Sequence, residues 1–257
     1  MTSTSPDPGL VARLRAAGCV FAEDEAALLE AAPVSEEERE AMVVRRVAGE
    51  PLELILGWAE FCGLRIRVAP GVFVPRQRSA LMVDLAVRAA SRGTSRRVLD
   101  LGCGSGALGA AVAARVTDAE IWATDIDPAA VSCAQLNLPA DHVLLGDLYT
   151  PLPHDLEFDV IVANAPYVPS EEIRNMPPEA RDHEHRVALD GGADGLDVQR
   201  RVIEQAPQRL APGGVLVIEA GQEQAPVTAG LMHAQGLVTE IHHDKDLYAT
   251  AVTGTKA

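Results

Sequence analysis

From residue 97 onward, short apolar runs alternate with longer stretches of helical composition. An apolar run without polar alternation is typical of a parallel strand that is buried on both faces. The pattern predicts five such strands, at 97–101, 120–124, 142–145, 158–163 and 214–219. It predicts helices among them at 106–115, 128–136 and 196–210. Together these elements indicate an α/β fold, a parallel sheet with helices on both faces, whose strands end at one common edge.

The two ends of the chain follow other patterns. After the last parallel strand, Leu237 to His242 and Tyr248 to Val252 flank a polar turn, and we expect them to close the sheet as an antiparallel hairpin. Before residue 56 the spacing predicts helices at 8–17, 22–30 and 35–47. Ser35 followed by Glu38 is a capping box at the start of the third helix.

Between residues 58 and 75, apolar and polar positions alternate, which predicts a β-hairpin. Its turn is expected at Ala69-Pro70-Gly71. Taken in order, these patterns divide the chain into a helical domain over 1–56, a β-hairpin linker over 57–76 and a main domain over 77–257.

Three glycines at alternate positions follow the first predicted strand. Glycine lets a backbone turn tightly and approach a ligand, and the N-terminus of the next helix offers free N–H groups. Gly104 to Gly109 also fits the dinucleotide pattern G-x-G-x-x-G, and a tight turn without a ligand is the alternative. Asp100 either bonds the N–H groups of this turn or contacts a ligand. The candidate cofactor-binding residues here are Asp100, Gly102, Cys103, Gly104, Ser105 and Gly106.

Carboxylates follow the second and third predicted strands. Asp125 can accept both ribose hydroxyls of an adenosine, whereas Asp127 more simply caps the helix that Pro128 begins. Asp147 can accept from an adenine amino group while Leu148 packs on the ring. The alternative at this third position is a plain turn with a solvated aspartate.

The fourth strand ends in Asn164-Ala165-Pro166-Tyr167. An asparagine with a Pro-Tyr turn directly after a buried strand is an unusual combination. The alternative is an Asx-turn that only ends the strand. Since the predicted strand ends share one edge, we expect these residues to belong to a single binding site.

Composition narrows the function further. The 257 residues carry a formal net charge of −15, and an acidic surface argues against broad binding to a phosphate backbone. Four cysteines without a C-x-x-C pair, and an N-terminus from Met1 to Gly9 without a secretory pattern, predict a soluble, cytoplasmic protein with reduced thiols. No apolar run has the length of a membrane helix. The histidine pairs His183/His185 and His242/His243 lack further ligands at metal-binding spacing, so no metal is expected.

The order of these motifs resembles the HemK/PrmC family, the release-factor glutamine-N5 methyltransferases that use S-adenosylmethionine. The resemblance extends from about Pro51 to the C-terminus and rests on five segments: Leu54 to Leu64, Val74-Pro75-Arg76, Asp100 to Gly106, Asn164 to Tyr167 and Ala188 to Leu196. It implies a class I methyltransferase, a Rossmann-like and mostly parallel seven-stranded sheet with an antiparallel last strand. It also implies that a small helical domain, which recognises the substrate, and a β-hairpin precede that sheet.

Three departures from the family pattern stand out. Ala165 takes the place of the family's first proline in Asn-Pro-Pro-Tyr. Residues 77–80 read Gln-Arg-Ser-Ala where Pro-Glu-Thr-Glu is usual, and the helical region at the N-terminus is shorter. The first departure concerns the catalytic turn, and the other two concern the protein partner.

The resemblance implies methyl transfer to the side-chain amide nitrogen of a glutamine in a peptide chain release factor or a similar translation protein. Asn164 Oδ1 and the Ala165 carbonyl would accept the two amide N–H bonds, and Asn164 would also contact the cofactor. Pro166 and Tyr167 complete the catalytic turn, with Tyr167 as an apolar wall.

Two alternatives remain open at this point. One is an adenine-N6 methyltransferase that acts on nucleic acid, and the other is a cofactor-binding module that Ala165 has weakened as a catalyst. The acidic charge and the glycine-rich loop near Gly191 favour a protein substrate, with no stable binding to nucleic acid or membrane.

Overall fold

The computed structural model describes residues 5–93 and 95–257. The first four residues of the N-terminal segment considered above therefore lie outside the described residues. Four helices open the fold: α1 (Pro8–Ala16), α2 (Ala22–Glu30), α3 (Glu36–Val47) and α4 (Leu52–Leu56). Their apolar faces form a separate small core around Leu14, Leu29 and Val43. The capping box is confirmed, because Ser35 Oγ accepts from the Glu38 N–H at 3.3 Å and the Glu38 carboxylate accepts from the Ser35 N–H at 2.8 Å.

The β-hairpin is present, but its predicted turn was wrong. Strands β1 (Trp58–Phe61) and β2 (Leu64–Arg67) pair antiparallel around Cys62 and Gly63. Both turn residues have positive φ, 51° and 78°, which matches the two-residue turn that suits the twist of a hairpin. Ala69-Pro70-Gly71 forms a later turn, in which the Val72 N–H donates to the Ala69 carbonyl at 3.1 Å.

A seven-stranded sheet forms the rest of the molecule. The strands are β3 (Arg97–Leu101), β4 (Glu120–Asp125), β5 (Val143–Leu145), β6 (Phe158–Ala163), β7 (Leu210–Glu219), β8 (Leu237–Asp244) and β9 (Ala249–Lys256). Their order is β5-β4-β3-β6-β7-β9-β8, and β9 alone points in the direction opposite to the other six strands. All five predicted parallel strands are confirmed, although β7 begins four residues earlier than expected. The closing hairpin is confirmed as β8 and β9.

Helices cover both faces of this sheet. They are α5 (Ala80–Ala90), α6 (Ala107–Ala113), α7 (Pro128–Ala134), α8 (Pro178–His183), α9 (Asp197–Arg209) and α10 (Ala225–Ala234). Short 3₁₀ helices lie at Gln77–Ser79, Ala140–His142, Ile173–Asn175 and Arg186–Ala188. One apolar core lies between the sheet and α5, α6 and α7, and a second lies between the sheet, α9 and α10. Within the described ranges, no helix is long and apolar enough to cross a membrane.

Candidate active site

A cavity of about 420 Å³ opens at the carboxyl ends of β3, β4 and β6. The strand order places these ends side by side, as the doubly wound topology requires for a ligand site. Most of the predicted site residues line this one cavity, namely Gly102, Cys103, Gly104, Ser105, Asp125, Asp147, Leu148, Asn164, Ala165, Pro166 and Tyr167. Asp100 and Gly106 do not line the cavity. Gly106 caps α6 in the left-handed conformation, where a Cβ would lie 2.8 Å from Leu138.

The glycine turn holds its backbone open toward the cavity. Gly102 and Gly104 have φ of 69° and 54°, a conformation that favours glycine. A Cβ at Gly102 would meet nothing within 4 Å, and one at Gly104 would meet only Phe73, at 3.9 Å. These two positions therefore leave room for a ligand to approach the backbone itself.

Asp125, rather than Asp100, holds the glycine turn in place. Its Oδ2 accepts from the Gly104 N–H at 2.8 Å, and its Oδ1 accepts from the Asp127 N–H at 2.9 Å. Each carboxylate oxygen accepts two hydrogen bonds when fully used, so both retain capacity for a ligand. Burial raises the pKa of the Asp125 carboxyl, and the hydrogen bonds that it accepts from backbone N–H groups oppose that shift. Asp127 caps α7 as expected, accepting from the Ala129 N–H at 2.8 Å.

Asp100 lies beneath the turn and is almost completely buried. Its Oδ2 accepts from the Gly109 N–H of α6 at 2.9 Å, while its Oδ1 has no partner among the described residues. Burial raises the pKa of this carboxyl to about 7, with the nearby Asp125 charge adding to the effect and the Gly109 N–H opposing it. A buried, charged oxygen without a hydrogen-bond partner is a costly arrangement, and this cost favours the neutral form of the Asp100 carboxyl.

Asp147, which follows β5, is not a free acceptor as the sequence suggested. Asp147 Oδ2 forms an ion pair with Arg201 Nη2 of α9 at 2.6 Å. Leu148 adopts a positive φ of 49° and faces the same cavity. Asp147 thus keeps one carboxylate oxygen available for an amino group, and Arg201 fixes the orientation of the other.

The turn after β6 is tied to residues that were not predicted. Asn164 Nδ2 donates to Ser79 Oγ at 3.3 Å, and Ser79 Oγ donates to Glu219 Oε2 at 2.5 Å. Arg78 Nη2 donates to Tyr167 Oη at 2.5 Å and Arg78 Nε to Glu219 Oε1 at 2.9 Å. Burial, followed by the Glu219 charge, raises the pKa of Tyr167 to about 12, so the hydroxyl stays protonated.

A glycine loop of residues 191–195, between α8 and α9, packs against the backbone of this turn. The Gly191 N–H donates to the Val168 carbonyl at 2.9 Å, and Asp190 pairs with Val168 as an isolated bridge. A Cβ at Gly191 would lie 2.7 Å from the Pro166 carbonyl oxygen, and one at Gly195 2.3 Å from that of Tyr167. Only glycine allows the loop to pack so closely on the backbone of the Asn164–Tyr167 turn.

The sequence contained a partial signal for the missed residues. Glu219 is a lone carboxylate at the end of an apolar strand, the same type of position as Asp125. Arg78 and Ser79 belong to the segment that departs from the family pattern. Their connection was not visible, because Ser79 and Glu219 are 140 residues apart.

The sheet order and the cavity at its strand ends define a class I methyltransferase, which confirms the predicted fold class. The solved structure of a methyltransferase from Pyrococcus furiosus has the same fold, with a TM-score of 0.55 at 18% identity, covering 86% of this chain and 99% of that one. Residues 63–178 match the methyltransferase small domain family.

Relatives in sequence identify the family. The release factor glutamine methyltransferase of Geobacter sulfurreducens is 39% identical over 211 residues, which cover 79% of this chain and 73% of that protein. The protein of the same name from Bordetella pertussis is 37% identical over 219 residues, covering 84% of this chain and 80% of that protein. The chain belongs to the release factor glutamine methyltransferase family, and the resemblance inferred from its motifs is confirmed.

Proposed function

We propose that this enzyme transfers a methyl group from S-adenosylmethionine to the side-chain amide nitrogen of a glutamine in a peptide chain release factor. The observation that carries the proposal is the Asn164–Tyr167 turn, which lies in the same cavity as the glycine cradle and Asp125. Family membership supports both the reaction and the class of substrate.

The residues present fit S-adenosylmethionine. Gly102 and Gly104 leave backbone exposed to the ligand, and Asp125 has spare acceptor capacity for two ribose hydroxyls. Asp147 and Leu148 are proposed to contact the adenine. The cofactor carries positive charge, which complements the two carboxyl groups near the cradle, Asp125 in the cavity and Asp100 beneath it. When bound, it supplies a methyl group that is activated by a sulfonium.

An amide nitrogen is a poor nucleophile because its lone pair is delocalised into the carbonyl. Asn164 Oδ1 and the Ala165 carbonyl are proposed to accept the two N–H bonds of the glutamine amide and so to orient that lone pair. As the nitrogen gains positive charge, both acceptors bind it more strongly, which stabilises the transition state over the ground state. Tyr167 stays neutral and provides a flat wall beside the amide.

The regions before the sheet are proposed to recognise the protein substrate. We assign residues 1–56 to a substrate-recognition domain, 57–76 to a hairpin linker and 77–257 to the methyltransferase domain. Contact between the first region and the site supports this role, since Arg46 of α3 pairs with Glu179 of α8, which lines the cavity. The expectations of a cytoplasmic location and of no stable binding to nucleic acid stay predictions.

The test is a methyl-transfer assay with radiolabelled S-adenosylmethionine and purified, unmethylated release factor. We expect label that protease releases and nuclease does not, and a mass gain of one methyl group on a single glutamine. Asn164→Ala should lower the rate by roughly 100-fold or more while calorimetry shows unchanged cofactor affinity, since one acceptor aimed at developing charge has this effect. Label that nuclease removes would instead support an adenine-N6 methyltransferase. Tight binding of NAD would contradict the cofactor assignment.

A further inference from the structure

Glu219 at the end of β7 is a buried carboxylate that faces the catalytic turn. Three donors converge on it. Arg78 Nε approaches Oε1 at 2.9 Å, Tyr167 Oη approaches the same oxygen at 3.3 Å, and Ser79 Oγ approaches Oε2 at 2.5 Å. A carboxylate only accepts hydrogen bonds, so all three partners must donate to it.

This requirement decides the direction of the next hydrogen bond. A serine hydroxyl has one hydrogen, and Ser79 uses it on Glu219. Toward Asn164, Ser79 Oγ can then act only as an acceptor. It therefore takes the Nδ2 side of the Asn164 amide, at 3.3 Å, and leaves Oδ1 for the opposite side.

We propose that Glu219 and Ser79 are positioning residues that set which end of the Asn164 side chain faces the substrate. The inference rests on the proposed function, in which Asn164 must offer an oxygen to the glutamine amide. An asparagine whose side-chain amide is flipped by 180° has nearly the same shape, but it offers N–H groups where the oxygen had been. Such an Asn164 would face the substrate nitrogen with a donor, and the nitrogen would lose its acceptor.

A change of Glu219 to glutamine makes this proposal testable, because Arg78 dictates how the new amide is oriented. Arg78 can only donate, so the glutamine oxygen has to face Arg78 and its NH₂ group has to face Ser79. Ser79 would then accept from residue 219 and give its own hydrogen to Asn164. The Asn164 amide would turn over, with Oδ1 toward Ser79 and Nδ2 toward the substrate.

The kinetic test compares three variants on release factor. Ser79→Ala leaves Asn164 without its tether, and we expect kcat to fall about tenfold, the effect of one ordinary hydrogen bond. Glu219→Gln should lower kcat by about 100-fold or more, because it presents the wrong group to developing charge. In Arg78→Met/Glu219→Gln the amide is free to offer its oxygen to Ser79, so kcat should recover by about tenfold over Glu219→Gln alone.

Asp159→Asn is the matched control. Asp159 is a buried carboxylate that also accepts from a serine, Ser95 Oγ at 2.5 Å, but it lies at the start of β6, away from the cavity. The same acid-to-amide change there should leave kcat unchanged. Calorimetry on every variant should show cofactor affinity within a few-fold of the parent, which establishes that each one is folded.

Two further measurements separate this proposal from the proposed function. The first uses release factor in which the accepting glutamine is changed to glutamate. Its carboxylate can only accept hydrogen bonds, so it suits an Asn164 that offers Nδ2. The ratio of the affinity for this glutamate form to that for the glutamine form should therefore be higher in Glu219→Gln than in the parent enzyme. Neutron diffraction should find the Ser79 hydrogen on the Glu219 side in the parent and on the Asn164 side in Glu219→Gln. This second readout needs no substrate.

The outcomes are distinct. A parent enzyme that does not methylate release factor overturns the proposed function, and the neutron maps still decide the orientation of Asn164. An unchanged hydrogen position in Glu219→Gln, or an Arg78→Met/Glu219→Gln enzyme that is no faster than Glu219→Gln, overturns the positioning role.

Discussion

At the scale of single residues, Asp100 shows how burial sets the charge of a site. Its carboxyl has a folded-state pKa of about 7 against an ordinary value of 3.8, chiefly because it is buried. The folded protein therefore holds a proton that the unfolded chain releases between about pH 4 and about pH 7, and the free energy of unfolding falls as pH rises through that range. The groups that face Asp100 are Asp125, Cys103 and the Gly109 N–H.

Asp100→Asn should remove this dependence. The amide keeps an acceptor for the Gly109 N–H but does not ionise, so the loss of stability, up to about 1.4 kcal/mol per pH unit in the parent, should be absent from the variant. Urea unfolding of both proteins across the range measures the difference in slope. Parallel curves for the two proteins would show that Asp100 is ionised throughout.

Ala165 gives a second prediction at this scale. Its N–H donates to no acceptor within the described ranges, so a proline there would break no hydrogen bond. Ala165→Pro should keep or raise the transfer rate. A gain should be small, because a compatible proline lowers the entropic cost of ordering a turn by only about 0.4–1 kcal/mol. Steady-state kinetics on release factor measure it. A large loss of rate in a variant that binds cofactor normally would show that this enzyme needs the space beside Ala165, and would weaken the case for release factor as substrate.

The residues that could be found from the sequence lie at or directly after the end of a predicted strand, and the same is true of Glu219, which was missed. Asp125 and Asn164 were visible because a strand end is a local signal, and parallel strands bring their ends together. Ser79 and Glu219 were not found because their role depends on a hydrogen bond between residues that are 140 positions apart. Neither that contact nor the direction of the hydrogen bond can be deduced from a local sequence pattern.

At the scale of elements, the glycine loop of residues 191–195 and the catalytic turn behave as one unit. Gly195→Ala would place a Cβ 2.3 Å from the Tyr167 carbonyl oxygen and should displace the turn. Gly236→Ala is the control, because its φ of 80° is close to the 78° of Gly195 while a Cβ there meets nothing within 4 Å. Both variants carry roughly 1–2 kcal/mol of left-handed strain. Only Gly195→Ala should also lower kcat, by about tenfold or more, in the same transfer assay. Equal rates in the two variants would show that the loop does not hold the turn.

The elements themselves differed in how well they could be predicted. Strands β3 and β6 were found to the residue, because a strand covered on both faces is mostly apolar: each contains a single aspartate among its buried residues. The turn of the first hairpin was misplaced because proline and glycine at 70–71 are the stronger turn signal. The actual turn places Cys62, a residue with no preference for turns, at positive φ.

At the scale of the whole molecule, Arg46 connects the N-terminal helices to the rim of the active site. Its Nε donates to Glu25 of α2 at 2.5 Å, and its Nη1 donates to Glu179 of α8 at 2.7 Å. The Arg46 and Glu25 side chains are only 10% and 12% exposed, whereas that of Glu179 is 52% exposed. The two halves of this network should therefore contribute very differently to stability.

Arg46→Met should lower the free energy of unfolding by about 3–5 kcal/mol, because it leaves the Glu25 carboxylate buried without its partner. Glu179→Gln should cost less than about 1 kcal/mol, since an exposed ion pair is screened by water. If α1–α3 orient the protein substrate through this link, both variants should raise the KM for release factor while cofactor affinity stays constant. Denaturant unfolding, calorimetry and steady-state kinetics on the two variants check these expectations together. A KM that follows the loss of stability, high in Arg46→Met and normal in Glu179→Gln, would mean that Arg46 only holds the helices together and that the ion pair to α8 does not position the substrate.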